Sequence, residues 1–295
     1  MPKKTEPKDT QSTQPEQVQQ VRISDIHPFK NHPFKVVDDV LMQETVDSIM
    51  QFGVLNPTII RPDPGGGYEM VAGHRRLHAS GLAGKDTIPA IVRDLTDDEA
   101  VILLVDTNLQ RENISPMERA QAYKMKMEAL KHQGQRTDLT STQVGRKLES
   151  AEVIAQQTGE SKNQVRRFIR LTELVPEIQE KVDSKEIAFS PAVELSYLTR
   201  DEQKQFLDAM DYSQNTPSLS QAQRLKKLSR EGKCTKEAMR SIMSEEKKEE
   251  QERITLSSDT LRKYFPRSYT PLQMQQTIIK LLEQWQKKQQ RRNER

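Results

Sequence analysis

A chain of 295 residues, 34% hydrophobic and 30% charged, holds material for two or three small domains with long stretches left on the surface. Its net charge of +3 does not by itself argue for a polyanionic partner, so any nucleic-acid contact must come from local patches. One cysteine, Cys234, excludes an intrachain disulfide framework, and no apolar run approaches the ~18 residues of a membrane crossing. The N-terminus lacks a signal-peptide core, so a cytoplasmic, membrane-free setting is expected.

Residues 1–20 are rich in Pro, Gln, Thr, Lys and Glu and are expected to be a disordered tail. Val21-Arg22-Ile23 opens a strand, and 38–52 reads as an amphipathic helix with Met42, Val46, Ile49 and Met50 on one side, ended by Gly53. Strands at 58–61 and 68–71 are joined by Pro62-Asp63-Pro64-Gly65-Gly66-Gly67. That glycine run reads as a hairpin turn, because no Gly-Lys-Ser/Thr follows it to make a phosphate loop. Gly73-His74-Arg75-Arg76-Leu77-His78-Ala79 comes next, a glycine turn leading from a strand into a helix that Gly84 closes. Two arginines in a first helical turn oppose the helix dipole, so their presence points to an anion. The open N–H groups and guanidinium forks there suit phosphate.

A second polar motif, Asn108-Leu109-Gln110-Arg111-Glu112-Asn113, lies between an apolar helical run at 100–105 and the capping box Ser115-Pro116-Met117-Glu118. From Asp97 to about Met210 the period is helical, apart from turns and a polar loop at 134–142. Within it, 151–171 carries a helix-turn-helix pattern. Ala155 lets the second helix approach, Gly159 makes the turn, Ser161-Lys162-Asn163-Gln164 caps the second helix, and Val165 and Phe168 supply its apolar seam. At 100° per residue, Asn163, Arg166, Arg167 and Arg170 share one face, opposite Val165, Phe168 and Ile169. Those are side chains that pair with guanine, adenine and phosphate. Ser161, Lys162 and Gln164 border that face, and Arg146 and Lys147 upstream are expected on backbone phosphates. The charged stretch 224–253 reads as a linker, and 254–295 as a helical association segment. In the latter, Met274, Ile278, Leu281, Leu282 and Trp285 form a stripe suited to a dimer or partner contact.

With Ile88-Pro89-Ala90-Ile91-Val92-Arg93 between them, the two polar motifs resemble the ParB family of DNA-partition proteins in order and spacing, over about 23–198. The resemblance implies an α/β nucleotide-binding domain (21–115), an all-α helix-turn-helix domain (116–223) and a C-terminal helical segment. It also implies a CTP-dependent clamp on double-stranded DNA at a centromere-like site, working as a homodimer beside a ParA-type ATPase. Gly73, His74, Arg75 and Arg76 would then hold the triphosphate, with Asn108, Gln110 and Arg111 serving the nucleotide and Asn108 its Mg²⁺. Two positions depart from the family pattern: His74 replaces a Glu, and Thr107 replaces an acidic residue. Both remove carboxylates that would bind a hard cation or activate water, so any CTPase activity is expected to be slow or absent.

Other readings compete. A transcription regulator would use the same helix-turn-helix with the N-terminal domain as a scaffold. A nuclease would need clustered metal-binding carboxylates that the sequence lacks. Sulfiredoxin-like chemistry needs a cysteine where Ala72-Gly73 stand, and His74 with His78 lacks a third zinc ligand.

Overall fold

The computed structural model describes residues 17–111, 114–138, 149–245, 261, 263–266 and 268–293, in two units that divide at Glu245. The first unit opens with a five-stranded sheet built from β1 (Val18–Arg22), β2 (Ile26–His27), β3 (Thr58–Pro62), β4 (Tyr68–Ala72) and β5 (Thr87–Val92), in the spatial order β1-β5-β3-β4-β2. β1 runs antiparallel to β5 and β3 to β4, whereas β3–β5 and β2–β4 are parallel. The first strand starts three residues earlier than the sequence suggests. Val18, Gln19 and Gln20 pair with Ile91, Ala90 and Pro89, and the β5 partner holds a segment whose composition alone reads as a tail.

α1 (Val40–Phe52) and α2 (His74–Leu82) pack together through Met42, Val46, Ile49 and Ala79, while Val21, Ile60, Met70 and Ile88 fill a second cluster in the sheet. A third cluster joins Val71 of β4 to Leu104 and Val105 of α3 (Asp97–Leu109) and to Ala122 of α4 (Pro116–Asp138). α4 is therefore shared, since its Met117, Ala120 and Tyr123 belong to the large core of the helical region. It continues through 134–138, where the polar composition predicted a loop.

The helical region continues with α5 (Ser150–Thr158), α6 (Lys162–Arg170), α7 (Pro176–Asp183), α8 (Phe189–Leu195), α9 (Arg200–Ser213), α10 (Leu219–Arg230) and α11 (Lys236–Met243). The last two correct the expected linker: Leu225, Cys234, Met239 and Met243 are buried in the same core as Ile154 and Phe168. Both helices are strongly amphipathic, so a high charge count conceals apolar stripes that each bury several kcal/mol of surface. Burial also raises the Cys234 thiol to about 11, which makes it an inert core residue.

The second unit contains α12 (Pro271–Asn293), started by a reciprocal cap in which the Gln273 amide N–H donates to Thr270 Oγ1 and the Thr270 amide N–H donates to Gln273 Oε1. Met274 is buried, while Leu281, Leu282 and Trp285 are exposed. No helix among the described residues is long and apolar enough to cross a membrane.

Candidate nucleotide and nucleic-acid sites

The first motif folds as its residue types require. Gly73 caps α2 with φ 114°, a left-handed conformation, and a Cβ there would lie 2.6 Å from Thr58 Cγ2. That tight seat aims the first turn of α2 at a cavity of about 1030 Å³. Arg75 and Arg76 of α2 line it together with Arg111 of the second motif, and Lys35 and Glu118 share the lining.

Four carboxylates share this lining with the cations, but three are already committed to backbone donors. Glu118 accepts from the amides of Lys35 (2.7 Å) and Ser115 (2.9 Å), Asp39 from Met42 (2.8 Å) and Asp183 from Met117 (3.0 Å). The guanidiniums are less fully engaged. Arg75 meets Asp39 at 3.5 Å, and Arg76 Nη1 donates to the carbonyls of Asn56 and Pro57 at 2.5 and 2.8 Å. Burial lowers the pKa of Arg76, and burial followed by the charge of Arg75 lowers that of Arg111. Like charges held together in a partly desolvated hollow favour an arriving anion. A cavity of this size with convergent polar groups suits a small polyanion.

The remaining residues of the two motifs lie elsewhere. His74 does not line the cavity; it is buried against His32, with ring centroids 3.8 Å apart. Burial first, then the neighbouring His32 and Arg111, push His74 down to about 3, so it stays neutral at physiological pH. Its Nε2 and that of His32 are buried with no hydrogen-bond partner. Asn108, expected to meet Mg²⁺, is buried and donates Nδ2 to Leu104 O at 2.8 Å, within its own helix. Thr107 likewise turns its hydroxyl back to Leu103 O and Leu104 O. Gln110 faces a different cavity, of about 450 Å³, with Arg119, Tyr123 and Glu160. The second motif thus sends its polar side chains in different directions, because α3 ends at Leu109: Asn108 is still helical and turned inward, while Gln110 and Arg111 follow the helix end. Among the described residues, no cluster of three His, Cys, Asp or Glu side chains is placed to hold a metal ion.

Beside the second cavity, the fully buried Lys126 bonds both Asp106 of α3 and Gln157 of α5, so one ammonium group joins the last turns of α3, just before the second motif, to the helix-turn-helix. Sequence reasoning missed it, although Lys126 falls on the same helical stripe as the buried Ala122 and Ala129.

The helix-turn-helix forms as its signals require. Gly159 ends α5 with φ 70°, Ser161 Oγ accepts from the Gln164 amide at 3.1 Å, and Ala155, Val165 and Phe168 are buried between the helices. The cap is one-sided: Gln164 Oε1 takes Arg167 Nη1 at 3.3 Å instead of reaching back to Ser161. Asn163 and Arg166 face outward. Arg166 and Lys162 both pair with Glu149, whose carboxyl is held below the usual range by Lys162 and then Arg166. Arg167 donates to Ser190 Oγ at 2.9 Å and lies over Phe189, and Arg170 donates to Ser196 O at 2.8 Å and lies over Tyr197. The expected four-residue face is therefore two open side chains followed by two that α8 braces. Arg146 and Lys147 lie outside the described residues.

The chain matches the ParB N-terminal domain over residues 7–109 and the ParB HTH domain over residues 112–216. Among curated relatives it is 38% identical to the chromosome-partitioning protein Spo0J of Thermus thermophilus, over 56% of this chain and 54% of that one. It is also 38% identical to stage 0 sporulation protein J of Bacillus subtilis, over 54% of this chain and 50% of that one. The chain spans about half the length of these relatives. Of the solved structures, the C-terminally truncated ParB of Caulobacter crescentus complexed to the centromeric parS site is 25% identical over 71% of this chain and 98% of that one, with a TM-score of 0.42.

Proposed function

The chain belongs to the ParB family, and from that premise we propose that it is a centromere-site DNA-binding protein whose hold on duplex DNA is governed by CTP. The observation that carries the nucleotide half is the convergence of Arg75 and Arg76 from one motif and Arg111 from another on a single cavity. Three guanidiniums there give bidentate, charge-assisted donors for a triphosphate, while the left-handed Gly73 keeps the first turn of α2 clear for its approach. Asn108 does not reach this cavity, so a Mg²⁺ arriving with CTP would rely on phosphate oxygens and water, its usual ligands. With His74 buried and neutral and Thr107 bonded to its own helix, no carboxylate at either position activates water, and turnover of CTP is expected to be slow.

The DNA half rests on α6. Asn163 and Arg166 reach base edges from the N-terminal part of the helix, the part that enters the major groove most deeply. Ser161, Lys162 and Gln164 border the groove, and Arg167 and Arg170, braced by α8, set the angle at which α6 presents itself. Glu149 holds Lys162 and Arg166 in free protein and is displaced when backbone phosphates take its place. The exposed stripe of α12 is the candidate surface for a homodimer, and a ParA-type ATPase is the partner expected of a partition protein.

The test is retention on DNA. A duplex selected from a random pool by the full chain is closed at both ends or left open, and protein retention is followed with and without CTP. CTP-dependent retention on the closed duplex, lost on the open one, is the expected result. Binding to the selected duplex that ignores CTP throughout would leave a plain DNA-binding regulator.

A further inference from the structure

Three cations gather around one half-exposed tyrosine beside the end of α6. Lys226 Nζ lies 3.7 Å from the ring centroid of Tyr197, Arg170 Cζ 4.4 Å and Arg230 Cζ 5.8 Å. Among the described residues, one carboxylate, Glu194, pairs with the cluster, meeting Lys226 at 2.7 Å. Arg170 is committed to Ser196, and exposed Arg230 has no ion pair among the described residues. Each cation–π contact at an exposed site contributes about 0.5–1 kcal/mol, which offsets part of the mutual repulsion of three like charges but leaves an electropositive knob.

The sequence pattern did not single out this cluster, because its members come from three different helical segments. We infer that the cluster around Tyr197 is a second DNA contact, a clamp for a backbone phosphate flanking the groove that α6 reads; this rests on the DNA-binding reading of α6. Arg170, the last residue of α6, belongs to the cluster, so the clamp is continuous with the recognition face. A duplex seated on Asn163 and Arg166 carries its backbone past the far end of the helix, where phosphate contacts fix register and carry no sequence information. The ring holds the cations in place, Arg230 supplies a guanidinium fork, and Lys226 turns from Glu194 to phosphate. Duplex DNA fits better than a free anion, because the cluster adjoins α6 through Arg170 and none of its members lines either cavity described above.

The experiment uses the full chain with Arg230→Ala, Lys226→Gln and Asn163→Ala, titrated by fluorescence anisotropy on the selected duplex and a scrambled one at several salt concentrations. Arg230→Ala and Lys226→Gln should weaken both duplexes by the same factor and flatten the dependence of log K on log salt by about one unit. Their melting temperatures should fall by no more than a few degrees, since neither side chain lies in the core and each lost contact with the ring is worth about 0.5–1 kcal/mol. Asn163→Ala should instead weaken the selected duplex preferentially. Unchanged affinity and salt slope in the first two variants, alongside lost preference in Asn163→Ala, would overturn the clamp and leave the reading of α6 standing. Wild-type protein that binds neither duplex would overturn both.

Discussion

The two sites use the same residue type in different settings. In the α/β region, arginines from two distant motifs face inward across a cavity of about 1030 Å³. In the helical region, one helix turns Asn163 and Arg166 outward, with Arg167 and Arg170 beside them braced by α8. A hollow lined by guanidiniums surrounds and desolvates a small anion, while a ridge of them fits a groove and its flanking phosphates. The difference teaches that arginine count does not separate a nucleotide site from a nucleic-acid site; curvature does. α4 lies in the cores of both regions, and Lys126 bonds the end of α3 to α5, so the two sites are parts of one compact unit.

The sharpest way to break the comparison is to disarm one site and read the other. Replacing both Arg75 and Arg111 by Ala removes two sets of charge-assisted donors at about 1.5–3 kcal/mol each, so CTP affinity measured by calorimetry should fall by more than about a hundredfold. Affinity for the selected duplex without CTP should not change. If DNA affinity falls as far as CTP affinity, the arginines support the shared core and the two sites are not separate.

The reciprocal change is Asn163→Ala, expected to cost about 1–3 kcal/mol on the selected duplex and to relax the choice at one base pair, with CTP affinity unaffected. An anisotropy titration against single-base variants of the duplex measures it. Equal losses on every sequence would move base reading away from this side chain.

The paired imidazoles of His32 and His74 give a pH prediction confined to the α/β region. His74 is depressed to about 3 in the fold against an ordinary 6.5, so only the unfolded chain takes up its proton between those values. Stability contributed by neutral His74 is full above pH 6.5 and is lost as pH falls toward 3. Denaturant midpoints at pH 7 and pH 5 should therefore differ less in His74→Leu than in the wild type. An identical acid loss in both would mean that His74 is protonated in the folded chain.

The smallest effect is expected at Glu149, an exposed carboxylate whose pairs with Lys162 and Arg166 are screened by solvent. Glu149→Gln should raise affinity for selected and scrambled duplexes alike, most visibly at low salt, in the same anisotropy assay. A loss of affinity would show that Glu149 positions Lys162 and Arg166 for DNA and does not compete with it.

Signals local to a few residues were legible in the sequence. Gly73, Gly159, the cap at Ser161 and the Ser115–Glu118 box all name conformations that only certain residues favour, and each appears in the fold. Long-range pairing was not legible. Nothing in Val18-Gln19-Gln20 foretells β5, and nothing in the charged stretch from 224 onward announces that α10 and α11 bury apolar stripes in the main core. Side-chain direction was lost for the same reason. The second motif reads as one cluster along the chain, yet α3 turns Asn108 inward and, where that helix ends after Leu109, the chain sends Gln110 to one cavity and Arg111 to another. His74 shares its motif with Arg75 and Arg76, but His32, forty-two positions upstream, is what holds it.

Photocrosslinking of radiolabelled CTP to the full chain in the presence of the selected duplex tests the central claim most directly, with Arg75→Ala as the comparison. The label should appear on peptides that line the cavity with Arg75, Arg76 and Arg111, and should be lost with Arg75→Ala or with excess unlabelled CTP. No specific label, or label indifferent to Arg75, would contradict a CTP site in that cavity.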